Sequence, residues 1–274
     1  MTARAGTVLV VGATSSLAEA LCRRLAKKGH SLILAGRDRE ELALLAADLA
    51  ARFSTRCITL FADLAAPDFS PDLFIAGAGG FDSVIIAAGD MGNGDPNDFA
   101  DFAHVARINY ILPSQIAVAA AAYFSLSPSM GDGQGGGEPA KNTPPLNLPP
   151  QRGGEYHCIA IISSVAGDRG RRGYIAYGSA KAALTASASS LRARYAGTGV
   201  HVMTVKPGFV DTPMTWGMKG IFSGLLIASR ECVAEKIIAA MEKKKNVIYV
   251  PWFWRVIMLI IRHIPEAIFK RLKL

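Results

Sequence analysis

Tyr177 and Lys181, in "YIAYGSAK", stand four residues apart and so share one face of any helix they occupy. A free phenol titrates near about 10 and exchanges protons poorly at neutral pH. An ammonium one turn away favours the phenolate and draws that pKa toward the working range. Ser164, in "IAIISSVAG", closes the strand-like run just upstream and can donate a hydrogen bond to the same substrate oxygen. The three side chains together are equipped for proton transfer at an oxygen. The Tyr-x-x-x-Lys spacing also arises in helices that do no chemistry, so the surrounding elements decide its meaning.

Those elements alternate. Apolar strand-like runs fall at 7–11, 31–34, 57–61, 83–87, 158–163, 201–206 and 247–250. Between them lie "SLAEALCRRLAKKG", "REELALLAADLAARF", "YILPSQIAVAAAAYF" and "YGSAKAALTASASSLRARYAGTG", with apolar residues recurring at three and four. Strands alternating with helices predict a doubly wound, Rossmann-type α/β domain, a parallel sheet with helices on both faces. A chain of 274 residues, half of them hydrophobic, suits one such domain, placed at 1–250.

The first strand runs into "VVGATSSLAEAL". Gly12 permits a tight turn, and the helix behind it aims free N–H groups at whatever sits there. Of the three glycines in a dinucleotide fingerprint only Gly12 is present. Ser16 and Ala18 hold the later places and are small enough for close approach, while Thr14, Ser15 and Leu17 complete the candidate cofactor turn. An ordinary strand–helix turn is the alternative. The second strand ends in Gly36 and Arg37, where an NAD site would carry an acid for the ribose hydroxyls. A guanidinium pairs with a 2′-phosphate, which favours NADP(H); the alternative is a helix-capping turn around Asp38. Asp63, with Leu64 beside it, follows the third strand and suits the adenine amino group. Ala88 and Gly89 follow the fourth and approach the cofactor.

With these motifs in order, the sequence resembles the short-chain dehydrogenase/reductase family over about residues 6–250, leaving out 127–154. The resemblance implies Ser164 as carbonyl orienter, Tyr177 as acid and base, and Lys181 as both pKa modifier and ribose ligand. It further implies Asn109, in "RINYI", as holder of a proton-relay water. Pro207, Gly208, Val210 and Thr212, in "VKPGFVDTPM", are implied to lie against the nicotinamide. Two features depart from the family pattern: the glycine-rich turn is reduced to "VGATSSLA", and the usual Asn-Asn-Ala-Gly is "IAAG". Neither removes a catalytic group. "GATSSLAEA" with "PGFVDTPM" is similar to a branch that reduces polyprenyl-phosphate-linked 2-keto pentoses. The function implied is NADPH-dependent reduction of a ketone, or the reverse alcohol oxidation, on a lipid or lipid-linked substrate. "MTWGMKGIFSGLLIAS" would be an apolar lid, and Arg169, Arg171 and Arg172 in "GDRGRRGY" a phosphate grip. A protein that binds NADP(H) without turnover, and a reductase of a small soluble ketone, remain as rivals.

The net charge is +8, and from residue 243 onward stand eight basic residues against one acid, Glu266. The basic excess is therefore local. It excludes the broad basic face of a nucleic-acid binder. Cys22, Cys57, Cys158 and Cys232 are scattered, which fits free thiols in a reducing compartment rather than a disulfide or zinc framework, and no metal is expected. "GTVLVVGAT" is too short for a signal peptide and reads as a strand, so a cytoplasmic protein is expected. Residues 127–154 hold seven Gly and six Pro and read as a surface insertion. Residues 251–274, "PWFWRVIMLIIRHIPEAIFKRLKL", are broken by Arg255 and Arg262 and cannot span a bilayer. Aromatics, aliphatics and positive charge there predict an amphipathic anchor lying on the inner face of a membrane; packing against a second copy is the alternative. On that reading, removing 251–274 should leave turnover of a short soluble ketone intact.

Overall fold

Strands apolar on both sides need helices on both sides, and the chain supplies them. The computed structural model describes residues 6–95, 97–125, 157–215 and 226–272. The Gly/Pro-rich 127–154 and most of the expected lid, 216–225, lie outside the described residues. The strands are β1 (Thr7–Val11), β2 (Ser31–Gly36), β3 (Cys57–Phe61), β4 (Ser83–Ile86), β5 (His157–Ile162), β6 (Val200–Pro207) and β7 (Val247–Val250). The helices are α1 (Ser16–Lys27), α2 (Arg39–Phe53), α3 (Pro71–Gly77), α4 (Phe99–Ala106), α5 (Leu112–Ser125), α6 (Ile175–Arg194), α7 (Arg230–Glu242), α8 (Trp254–His263) and α9 (Glu266–Phe269).

The strands form one sheet in the order β3-β2-β1-β4-β5-β6-β7, and every pairing is parallel. Alternate strand residues feed two separate cores, as the pleat requires. Val8, Val10, Leu32, Leu34, Ala160 and Val205 face α1, α2 and α7. Leu9, Val11, Ile33, Ile86, Ile161 and Val202 face α3, α5 and α6. The strand order reverses between β1 and β4, and the carboxyl ends at that switch point are where such a sheet receives a ligand.

A third, smaller core differs from expectation. Trp254, Met258 and Ile261 of α8 and Phe269 of α9 are buried with Val165, and Phe209 and Tyr249 pack around them. Trp254, one of the aromatics of the segment expected to form an anchor, is 1% exposed and packs on the body of the protein. Trp252, Val256, Leu259 and Ile260 face outward, as do Arg255 and Arg262. A helix apolar on most of its surface can bury one strip and leave another exposed, and α8 does both. Among the described residues no helix is long and apolar enough to cross a membrane.

Candidate active site

Gly12 ends β1 with φ +77°, a left-handed conformation in which a side chain is strained. A Cβ there would meet the backbone of Ala88 at 3.0 Å, so the turn after β1 and the stretch after β4 touch through this missing side chain. Behind the turn, Ser15 is the N-cap of α1 and makes no side-chain capping bond, so the hydroxyl does not cover the helix's free N–H groups. Thr14, Ser16 and Leu17 are partly buried and Ser15 is exposed. At the end of β2, Arg37 is exposed, and Asp38 caps α2 by accepting from the Glu41 amide at 2.9 Å. The cap is made by Asp38 alone, so it leaves the neighbouring Arg37 side chain exposed. Asp63 follows β3 and accepts from the Ala65 amide at 2.9 Å, while Leu64 packs on the α5-side core.

Asn109 lies in a π-helical segment, Arg107–Ile111, between α4 and α5. Such a widened turn is rare and re-aims a side chain. Its amide nitrogen donates to the Asp90 carbonyl at 2.5 Å and the Val105 carbonyl at 2.9 Å, and its oxygen accepts from the Asp90 amide at 3.2 Å. A Cβ on Gly89 would lie 3.1 Å from Asn109 Oδ1 and 3.4 Å from Lys181 Nζ. Three residues singled out from different parts of the sequence thus converge at one point.

The residues expected to transfer protons come together around α6. Ser163, at the end of β5, donates to the Lys181 carbonyl at 3.1 Å and pairs with Thr185 Oγ1 at 2.8 Å, tying strand to helix. Ser164 begins a 3-10 turn, Val165–Gly167, and its Oγ accepts from the Ala166 amide at 3.1 Å. The hydroxyl hydrogen is left to donate elsewhere. Burial pushes the Tyr177 phenol above its ordinary pKa, and a hydrogen bond with Ser164 pulls it back. Lys181 is buried; desolvation takes its ammonium from the usual 10.5 down to about 8. Nζ donates to the Ile162 carbonyl at 3.2 Å and stands 5.7 Å from the Tyr177 ring centroid. The direct lowering of the phenol by Lys181 expected from the spacing is therefore not what dominates in this arrangement. Burial and Ser164 do.

The sequence profile described as "short chain dehydrogenase" matches residues 6–136 and 149–219. The chain belongs to that family. An uncharacterised oxidoreductase of Mycobacterium tuberculosis is 30% identical over 274 residues, covering 98% of this chain and 97% of the relative. Among solved structures, a short-chain dehydrogenase of Sphingobium yanoikuyae in complex with NADPH aligns with a TM-score of 0.72 at 22% identity, covering 95% of this chain and 97% of that one. A bulky-bulky ketone specific alcohol dehydrogenase of Comamonas testosteroni aligns at 0.71 with 19% identity and 96% of both chains.

Of the short-chain dehydrogenase residues expected after β6, Pro207 and Val210 are buried. Val210 bridges to Ala228, and the Thr212 hydroxyl donates to the Val210 carbonyl at 3.4 Å. Gly208 has a reason the sequence did not show: a Cβ there would fall inside the indole of Trp254. Sequence reasoning also passed over Asp168, Lys206 and Tyr249. The carboxylate of Asp168 is paired with buried Lys206 and accepts from the Tyr249 hydroxyl at 2.8 Å. One signal was available, because a lysine in the buried run "VHVMTVKP" requires an acidic partner. Arg169, expected to grip phosphate, is bound to Glu266 at 2.6 Å and to the Arg262 carbonyl at 3.1 Å. Arg171 is half-buried beside Met258.

Proposed function

We propose that the protein is an NADP(H)-dependent ketone reductase acting on an apolar ketone at a membrane surface. The observation that carries the reading is a connected set beside the β1/β4 switch point: Asn109 and Lys181 meet over the bare Cα of Gly89, Lys181 Nζ stands 5.7 Å from the Tyr177 ring, and Tyr177 pairs with Ser164. NADPH, once bound, would supply the hydride for the carbonyl carbon. Tyr177 gives its phenolic proton to the carbonyl oxygen, and the Ser164 hydroxyl, which pairs with Tyr177 in the ligand-free protein, turns to donate to the same oxygen and orients it. Lys181 offers an ammonium whose lowered pKa keeps it able to pass a proton back toward Tyr177, with Asn109 flanking the route. The residues present fit the cofactor: Gly12 opens the pyrophosphate turn, Gly89 leaves room, and exposed Arg37 suits a 2′-phosphate. The NADPH complex of the Sphingobium relative supports the same choice, and the ketone of the Comamonas enzyme supports the substrate class.

An apolar substrate fits the exposed Ile175 and Met214, which stand two residues from Tyr177 and Thr212 respectively. A phosphate-linked keto sugar fits less well, since Arg169 and Arg171 are engaged by α8 and α9. The outward face of α8 carries Val256, Leu259 and Ile260 beside Arg255 and Arg262, with exposed Trp252 just before the helix and basic Lys270 and Arg271 nearby in sequence. That composition supports docking on anionic lipid.

Reduction of an aryl ketone by NADPH tests the chemistry. Tyr177→Phe should lower the rate by about 10²-fold or more while NADPH binds as before, because only the hydroxyl is lost. A variant that keeps its rate removes Tyr177 from the reaction.

A further inference from the structure

The 3-10 turn that carries Ser164 is gripped from two sides. On the α6 side, Gly167 lies so close that a Cβ would meet the backbone of Lys181 and Ala182 at 2.7 Å. This contact fixes the distance between the Ser164 turn and the helix bearing Tyr177 and Lys181. On the other side the neighbours come from the strand ends and helices that follow the nicotinamide loop. Val165, adjacent to Ser164, is buried in the core built by Trp254 and Met258. Asp168 is held by Lys206 and by Tyr249, residues of β6 and β7. Arg169 lies over the Phe269 ring at 4.3 Å and is paired with Glu266.

Trp254 touches both halves of the site. Its indole fills the side-chain space of Gly208 and meets the Phe209 ring edge-on at 5.2 Å. The same residue shares a core with Val165. Its Nε1 is buried without a hydrogen-bond partner among the described residues. A buried N–H left unpaired is unfavourable, so packing rather than hydrogen bonding holds the indole there.

We propose that the inner face of α8 is a part of the active site's construction. Trp254 and the Asp168–Lys206–Tyr249 set act as positioning residues, fixing the Ser164 turn and the 207–212 loop relative to each other. The inference rests on the reductase reading for its kinetic consequence. It gives residues 251–274 a role that a membrane anchor lacks, and it reverses the expectation that their removal spares turnover.

The test uses the full chain and acetophenone with NADPH. Trp254→Ala and Asp168→Asn should lower kcat by about 10–100-fold, the size of effect that a misplacement of about 1 Å produces. KM for acetophenone and Kd for NADPH should change much less. Trp254→Phe, which keeps a ring over Gly208, should recover most of the rate. Should Asp168→Asn fail to fold with Lys206 unpaired, Tyr249→Phe removes a single bond to Asp168 and should give a smaller loss in kcat. In the ligand-free protein, amide hydrogen exchange of the Trp254→Ala and Tyr249→Phe variants should rise across 164–171 and stay unchanged in β1 and β4. An unchanged kcat, a loss carried by KM or Kd, or exchange that rises through the whole sheet would overturn the proposal. A wild-type chain that turns over no ketone counts against the reductase reading, while the exchange measurement still decides the positioning role.

Discussion

Lys181 is a buried cation whose only direct hydrogen bond among the described residues is to the Ile162 carbonyl. Desolvation lowers its pKa from 10.5 to about 8. Between about pH 8 and 10.5 the unfolded chain therefore holds a proton that the folded chain has released. Stability contributed by this group rises with pH across that window, and below it the buried charge is unfavourable. The full shift corresponds to about 3 kcal/mol. Denaturant unfolding of the ligand-free wild type and of Lys181→Met should show the difference in stability moving in the wild type's favour between pH 7 and pH 10; a difference flat in pH would mean the ammonium is solvated. Residue identity was readable here because Tyr-x-x-x-Lys fixes a helical face. The balance of forces on the phenol was not, since burial depends on what packs above it.

At the scale of elements, the work of holding the proposed cofactor would be divided among the three turns after β1, β2 and β4. The turn after β1 is shaped by Gly12, and the turn after β4 by its closeness to that glycine. The turn after β2 offers exposed Arg37 ahead of the Asp38 cap. Arg37→Ala should weaken NADPH binding by about 1–3 kcal/mol and leave NADH nearly unaffected. Equal losses measured for the two would make Arg37 a surface residue only. The five inner strands were legible because parallel strands buried on both faces read as continuous apolar runs. The edge strands β3 and β7, though largely half-buried or exposed, carry the same β-branched and aromatic residues. Of the helices, α3 and α4 escaped notice because they have seven and eight residues, too few for a period to stand out. In α7 the buried Val233, Ile237 and Met241 recur at four, a readable pattern that the strand-and-helix reading left out. The π-helical segment around Asn109 has no signature in residue type and emerges only from the helix geometry.

At the scale of the whole molecule, the basic excess and the amphipathic character of 251–274 were visible in the sequence, but the side turned to the body was not. An apolar strip states that it will be covered without stating by what. The structure assigns one strip, Trp254, Met258 and Ile261, to the body and leaves Val256, Leu259 and Ile260 outside. The two faces can therefore be separated by mutation. Leu259→Glu with Ile260→Glu should reduce binding to vesicles containing phosphatidylserine by at least about tenfold, since each lost side chain contributes roughly 1.5–3 kcal/mol when buried. Turnover of a soluble ketone should persist, because both residues point away from the catalytic turn. Vesicle binding that survives the change would favour a protein contact for this face.

The bracing of Arg169 by Glu266 spans 97 residues of sequence. Chains are made from the N-terminus at about 5–20 residues per second, so these partners are synthesised roughly 5–20 s apart. Before that interval ends the chain can assemble β1 through β5 and α6, with Ser164, Tyr177 and Lys181 all present. The turn holding Ser164 still lacks its outer wall. On the proposed reading, enzymatic competence should therefore arrive late and abruptly, when α8 and α9 close over Val165, rather than when Lys181 is made.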